Sequence, residues 1–200
     1  MVGVGATCAG DTCAEPEPPL PTITEQRSHF GLWAVLSSPL TLSMDFNNAT
    51  LVDGVWAIVS NVDAIAVDQA WAGAPGGQLL QSAETVMLQH CTPGWAGDKN
   101  CTVPASQSWY KPLPGGAVAL FITNNGVAAP ADVSVPLSAL PAGALPCAAA
   151  AAAGACPVYD VWRQAQSAPV TGSFDVAALA PHDSAFVVLG PWAGAGAARE

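Results

Sequence analysis

Apolar residues recur at helical spacing as far as Trp71 and alternate beyond Gly77, so the chain changes character near its first third. Thr22 and Glu25 stand three apart, directly before an apolar-periodic run. That is the spacing of a capping box, in which each side chain satisfies an orphan N–H of the other's backbone. Ile23, Gln26, Phe30, Trp33 and Ser37 then share one helical stripe, which Leu32, Val35 and Leu36 broaden. Pro39 closes this helix, because the residue before a proline is pushed out of the α region. Residues 40–44 predict a short strand ending at Asp45, residues 55–60 begin a second helix, and an apolar piece follows at 62–67. Helix, buried strand, acidic residue at the strand's C-terminal end, loop and helix is the order of a (β/α) barrel, whose chemistry sits at the C-terminal ends of its strands.

Residues 72–77, AGAPGG, have the composition of a linker. Beyond them, strands are predicted at 79–88, 107–113, 117–124, 131–137, 158–162, 169–176 and 184–189, with turn signals at Pro114-Gly115-Gly116 and Asn125-Gly126. Six to eight short strands punctuated in this way predict an antiparallel sandwich. The predicted fold class is therefore an α/β remnant plus an all-β unit: the last βα units of a TIM barrel over residues 1–72, a linker at 73–77, an antiparallel β-sandwich over 78–192 and a disordered tail at 193–200. The alanine run 148–153 favours helix but is too short to nucleate one, and reads as a loop tied at its base.

Composition narrows the partners. Half of the 200 residues (51%) are hydrophobic, enough for a core. Five basic residues against fifteen acidic give a net charge of −10, which argues against nucleic acid or an anionic membrane, both themselves negative. No apolar run reaches the length of a membrane span. The first basic residue is Arg27, so the N-terminal stretch lacks the charged region of a signal peptide. The six cysteines fall as close pairs, Cys8 with Cys13, Cys91 with Cys101 and Cys147 with Cys156. Of the roughly fifteen possible pairings, this clustering favours the local one, and the lack of CxxC spacing favours disulfides over zinc. Asn48-Ala49-Thr50 and Asn100-Cys101-Thr102 are N-x-[ST] triplets, which makes Asn48 and Asn100 candidate glycosylation sites. Paired cysteines and sequons together point to a secreted, lysosomal or vacuolar destination for the parent protein. His29, His90 and His182 are scattered without metal spacing, and no cofactor is called for. The oligomeric state is left open.

Specific residues then carry a resemblance. Glu25, Arg27, His29-Phe30, Leu32-Trp33-Ala34, Ser38-Pro39-Leu40, Asp45, Ser60-Asn61 and Ile65-Ala66-Val67-Asp68-Gln69 follow, in order, the pattern E-x-R-x-H-F-x-L-W-A, A-P-L, D-x-R, S-N and V-I-A-V-N-Q-D. This resembles the last part of the catalytic barrel of glycoside hydrolase family 27, the α-galactosidases or melibiases. Three positions depart from the pattern: Phe46-Asn47 in place of an arginine, Asp68 in place of an asparagine and Ala70 in place of an aspartate. Ser108-Trp109-Tyr110-Lys111-Pro112-Leu113, residues 116–124, Asp160-Val161-Trp162 and His182 are similar to motifs of the β domain that follows that barrel. The opening MVGVG resembles the M-L-x-V-G that follows W-N-D-P-D in the family. By that likeness Met1 takes the place of a methionine lining the galactose pocket. The proline- and cysteine-rich residues 6–22 then form an insertion at the catalytic rim, extended across Glu15-Pro16-Glu17-Pro18-Pro19.

The resemblance implies a retaining enzyme that removes terminal α-linked galactose from oligosaccharides, glycolipids or glycoproteins, with α-galactoside sugars as partners. Such an enzyme needs two carboxyl groups about 5 Å apart, one as nucleophile and one as acid/base. The family's nucleophile lies in a K-Y-D motif and its acid/base on a later strand. Neither motif occurs here, since Tyr110-Lys111 is followed by Pro112. The expectation is a C-terminal portion, begun at an internal methionine and inactive alone, in which no residue is assigned a catalytic role. Asp45 has the best position but reads as a helix cap or loop acceptor beside Asn47 and Asn48. Asp53, Asp63 and Asp68 read as solvated, Glu25 as a cap and His29 as structural. Trp33, Trp56 and Trp162 read as core, Trp95 as part of a glycine-rich loop and Trp109 as half-exposed. The alternative is a non-catalytic carbohydrate-binding or accessory β-sandwich protein with a vestigial barrel. In either case the N-terminal third exposes apolar faces unless it packs on the sandwich.

Overall fold

The computed structural model describes residues 21–88, 100–141, 147 and 155–192. Helix α1 spans Ile23–Val35. Its capping box is formed as the spacing requires: Glu25 N donates to Thr22 Oγ1 at 3.2 Å and Thr22 N donates to Glu25 Oε2 at 2.7 Å. The buried stripe is Gln26, Phe30, Gly31, Ala34 and Val35, whereas Ile23 is 51% exposed. The stripe is thus rotated from the one the apolar spacing picks out, because small Gly31 and Ala34 let this side of the helix lie close against its neighbours. After the C-cap Leu36, Ser37 takes a left-handed conformation (φ 56°) that turns the chain toward Pro39.

Residues 40–44 do not form the expected strand. Leu42 alone occupies a bridge position. A barrel strand is held by parallel partners on both sides, and every ladder among the described residues is antiparallel. The second helix starts earlier than its apolar run indicates: α2 is Ala49–Val59, with Asn48 Oδ1 accepting from Leu51 N at 3.1 Å. The apolar piece at 62–67 is a third helix, α3, Val62–Gln69, capped by Asn61. No single helix among the described residues is long and apolar enough to cross a membrane. The consecutive pair α2 and α3 has the length and composition together but is bent by 57°.

Ten strands follow among the described residues: β1 Gly77–Gln81, β2 Thr85–Leu88, β3 Cys101–Pro104, β4 Ser106–Pro112, β5 Val118–Asn124, β6 Ala131–Pro136, β7 Cys156–Asp160, β8 Ala165–Val170, β9 Ser173–Leu179 and β10 Ser184–Leu189. One antiparallel sheet runs β1-β4-β5-β10-β7-β8, and β2-β3 and β6-β9 form separate two-stranded ladders. The strand expected over 169–176 is really two, because Gly172 (φ 79°) reverses the chain between β8 and β9. Pro169 is tolerated because β8 is the outer strand of its sheet.

All seven residues of β5 are buried. Alternate side chains enter two separate cores. Ala119 and Phe121 join Phe186, Val188, Tyr159 and Val161 beneath the helices. Val118, Leu120 and Ile122 join Val187, Leu189 and Val158 beneath β6 and β9. The architecture is therefore three layers, with helices and a strand ladder on opposite faces of one sheet. Even the linker-like stretch is close-fitted: a Cβ on Gly76 would stand 2.1 Å from the Val35 carbonyl oxygen.

Candidate functional site

The polar side chains that matter most lie where α1 and α3 meet the sheet. Arg27 Nη2 stands 2.5 Å from Asp183 Oδ1, just before β10, with its guanidinium 5.9 Å from the ring centre of Trp162. One residue further, Ser28 Oγ donates to the His182 carbonyl at 2.8 Å and lies 3.0 Å from Ser184 Oγ. Asn61 uses both ends of its amide. Its Oδ1 accepts from Asp63 N and Ala64 N, each at 3.0 Å, and its Nδ2 donates to the Val161 carbonyl at 2.9 Å. One residue both starts α3 and anchors it to the strand end.

Tyr159 Oη donates to Asp63 Oδ2 at 2.9 Å. Burial, helped by that bond and by the neighbouring carboxylates of Asp63 and Asp160, pushes the phenol up to about 12. At the other end of α3, Lys111 Nζ donates to the Val67 carbonyl at 2.5 Å and the Asp68 carbonyl at 2.8 Å. A cation there meets both the unpaired carbonyls and the negative end of the helix. Burial lowers the Lys111 ammonium from its ordinary value and raises the Asp68 carboxyl from its own, and the attraction between the two opposes both shifts. These pairings make a structural clamp.

Several sequence expectations change here. Asp63 is 2% exposed, where the sequence reads as a solvated helix, because Tyr159 reaches it from β7. Asp68 is half-buried beside Lys111, while Asp53 does lie exposed on α2. Trp56 is 57% exposed and so is not core: α2 buries only Val55 and Ile58. Trp33 and Trp162 do border the core beneath the helices, and Trp109 is half-buried. Asp45 is a loop acceptor, with Oδ1 taking Asn47 N at 2.9 Å, and the cap of α2 is Asn48. His29 stacks edge-on to Trp33 at 5.5 Å, and burial lowers its pKa. Lys111 was not singled out from the sequence. The signal was there: it shares a strand face with Trp109, so a charge enters an apolar layer.

Cys147 and Cys156 are disulfide-bonded, with Cα atoms 5.2 Å apart. Cys101 is also disulfide-bonded. Asn48 and Asn100 are both exposed, and Asn48 caps α2 through Oδ1, which leaves Nδ2 out of the cap. Met1, Cys8, Cys13, Cys91, His90 and Trp95 lie outside the described residues. Among the described residues, no three His, Cys, Asp or Glu side chains stand together in a way that could hold a metal ion.

With the geometry in place, comparison with known proteins is direct. Residues 104–189 match the alpha galactosidase C-terminal beta sandwich domain. The alpha-galactosidase of Coffea arabica is 29% identical over 177 residues, which is 85% of this chain and 36% of that protein. Alpha-galactosidase I from Mortierella vinacea superposes with a TM-score of 0.64 at 20% identity, over 90% of this chain and 38% of that one. A family 27 β-L-arabinopyranosidase from Geobacillus stearothermophilus gives 0.62 at 19%, over 85% and 31%. At these identities the two structures speak for the fold alone. The chain spans about a third of the length of the relatives it matches. Residues 104–189 thus form an alpha galactosidase C-terminal beta sandwich domain, and helices α1 to α3 packed on it share the fold of the C-terminal part of these family 27 structures.

Proposed function

We propose that the chain is the C-terminal portion of a retaining α-galactosidase that removes terminal α-linked galactose from oligosaccharides, glycolipids or glycoproteins. The observation that carries this reading is the coffee α-galactosidase match, which runs through both the helices and the sandwich. In this reading the sandwich holds the last helices of the barrel. Lys111 secures the end of α3, Asn61 and Tyr159 its start, and Asp183 secures α1. Each helix is thereby fixed in orientation as well as position, which a catalytic barrel needs if its reacting groups are to stay aligned.

The described acidic residues supply structure in this reading. Asp63, Asp183 and Asp160 are engaged with Tyr159, Arg27 and Arg163, and Asp45 closes a loop. The 200 residues alone are therefore inactive, and cleavage requires carboxyl groups from further barrel units. The disulfides and the exposed Asn48 and Asn100 support a secreted, lysosomal or vacuolar setting. The test is to assay the 200-residue chain, and a polypeptide extended upstream through a K-Y-D motif, on a chromogenic α-galactoside. Turnover by the longer form alone is the expected result. Turnover by the 200 residues above a heat-killed control, or none by the longer form, overturns the reading.

A further inference from the structure

A cleft of about 430 Å³ opens where α1, the turn after β7, β9 and β10 meet. Trp162 and Phe174 supply apolar wall, while Arg27, Asp160, Arg163, Asp175 and Asp183 supply polar wall. We propose that this cleft is a non-catalytic binding site for an uncharged pyranoside.

Size, charge and unmet hydrogen bonding agree on that ligand. The volume lies within the range of small-molecule sites. Both guanidinium groups are already matched: Arg27 pairs with Asp183, and Arg163 stands over Asp160 with its backbone N–H donating to Oδ1 at 2.9 Å and Nε 3.6 Å from Oδ2, while the third carboxylate, Asp175, accepts from the Ser134 and Ser173 hydroxyls. An anion would have to break an ion pair beside a third carboxylate, and a cation would have to displace a guanidinium or the serine hydroxyls on Asp175. Neutral hydroxyls face no such penalty, since they donate to carboxylates and accept from guanidinium groups. The wall has capacity for both. Asp183 spends Oδ1 on Arg27 and on Ser184 N at 2.7 Å, and its Oδ2 takes no hydrogen bond among the described residues. The Arg163 side chain is 81% exposed and keeps donors to spare. Arg27 Nε and Trp162 Nε1 are buried at this wall without a hydrogen-bond partner among the described residues. A ligand oxygen entering after a small side-chain shift would meet that need. A pyranose ring carries an apolar patch as well as hydroxyls, which suits a wall that sets Trp162 and Phe174 beside two ion pairs. Asp160 and Asp183 are each engaged by a guanidinium neighbour, which makes them binding groups in this cleft. This inference does not rest on the hydrolase reading.

The experiment is a titration of the 200-residue protein with methyl α-galactopyranoside and methyl α-mannopyranoside, following the tryptophan indole N–H signals by NMR, with the Trp162 signal assigned from Trp162→Phe. Saturable millimolar movement of the Trp162 signal with either glycoside is expected, weakened roughly tenfold in Arg163→Ala. That variant alters an exposed side chain, so unchanged signal dispersion confirms that it folds. The proposal fails on any one of three results: no saturable movement, movement confined to other tryptophans, or an equal response to glycerol. It also fails if Arg163→Ala binds as the parent does. None of these results bears on whether a longer polypeptide hydrolyses α-galactosides.

Discussion

The two faces of the central sheet are covered by different means. On one face, β6, the short turn after it and β9 pack Val135, Leu137 and Leu179 against Val118, Leu120 and Ile122, and a disulfide closes the margin at Cys147 and Cys156. On the other, the helices bring Phe30, Ala34, Val55 and Val67 to the sheet, and buried polar contacts run through the layer at Lys111, Asn61 and Asp63. Apolar packing is tolerant of small shifts, since it has no preferred direction. Hydrogen bonds to helix ends are directional and set each helix's rotation and register. The strand-covered face is thus built to hold together, and the helix-covered face is built to hold a geometry. On the proposed reading, that difference is what a sandwich supporting the end of a catalytic barrel requires.

The helix-covered face is most sensitive at Gly31. A Cβ there would stand 2.5 Å from Phe121 Cε2 and 2.6 Å from Trp162 Cζ2, both ring atoms of the helix-covered face. Gly31→Val should cost about 3 kcal/mol in urea unfolding, because α1 must lift from the sheet. A loss smaller than about 1 kcal/mol would mean that this face is loosely packed. The other face is tested by replacing Cys147 and Cys156 together with serine. Opening that short loop should lower stability by roughly 2 to 3 kcal/mol. Hydrogen exchange in α1 and α3 should stay as in the parent, and faster exchange there would show that the two faces act as one.

The smallest effect at neutral pH belongs to Tyr159→Phe, about 1 kcal/mol, and its value lies in the pH dependence. In the unfolded chain the phenol loses its proton near 10.0, and in the folded protein only at about 12. Between those values the unfolded state binds fewer protons, so stability falls as pH rises. Tyr159→Phe should remove that share of the alkaline decline. An identical decline in both proteins would mean that the Tyr159–Asp63 bond is not formed in solution.

Much of this was legible in the residues. The capping box of α1 needs only Thr22 and Glu25, and the change from helical to alternating period marks where helices give way to strands. The family motifs led to the C-terminal part of the α-galactosidases and to their β-sandwich. Other features were not legible. Residues 40–44 have a strand's composition, but a strand exists only when a partner accepts its hydrogen bonds. Residues 169–176 read as one strand because Gly172 was the only mark of a reversal inside an otherwise extended run. Asp63 reads as a solvated charge because its partner, Tyr159, lies 96 residues away in sequence.

By itself, then, the sequence determined the kinds of element, the caps and turns that bound them, and the family whose order they follow, since each rests on near neighbours along the chain. Tertiary structure alone decided which side of α1 is buried, why Trp56 faces out and Lys111 in, and how ion pairs come to line a cleft. Burial and charge pairing are properties of what a residue meets across the fold, and no local pattern carries that information.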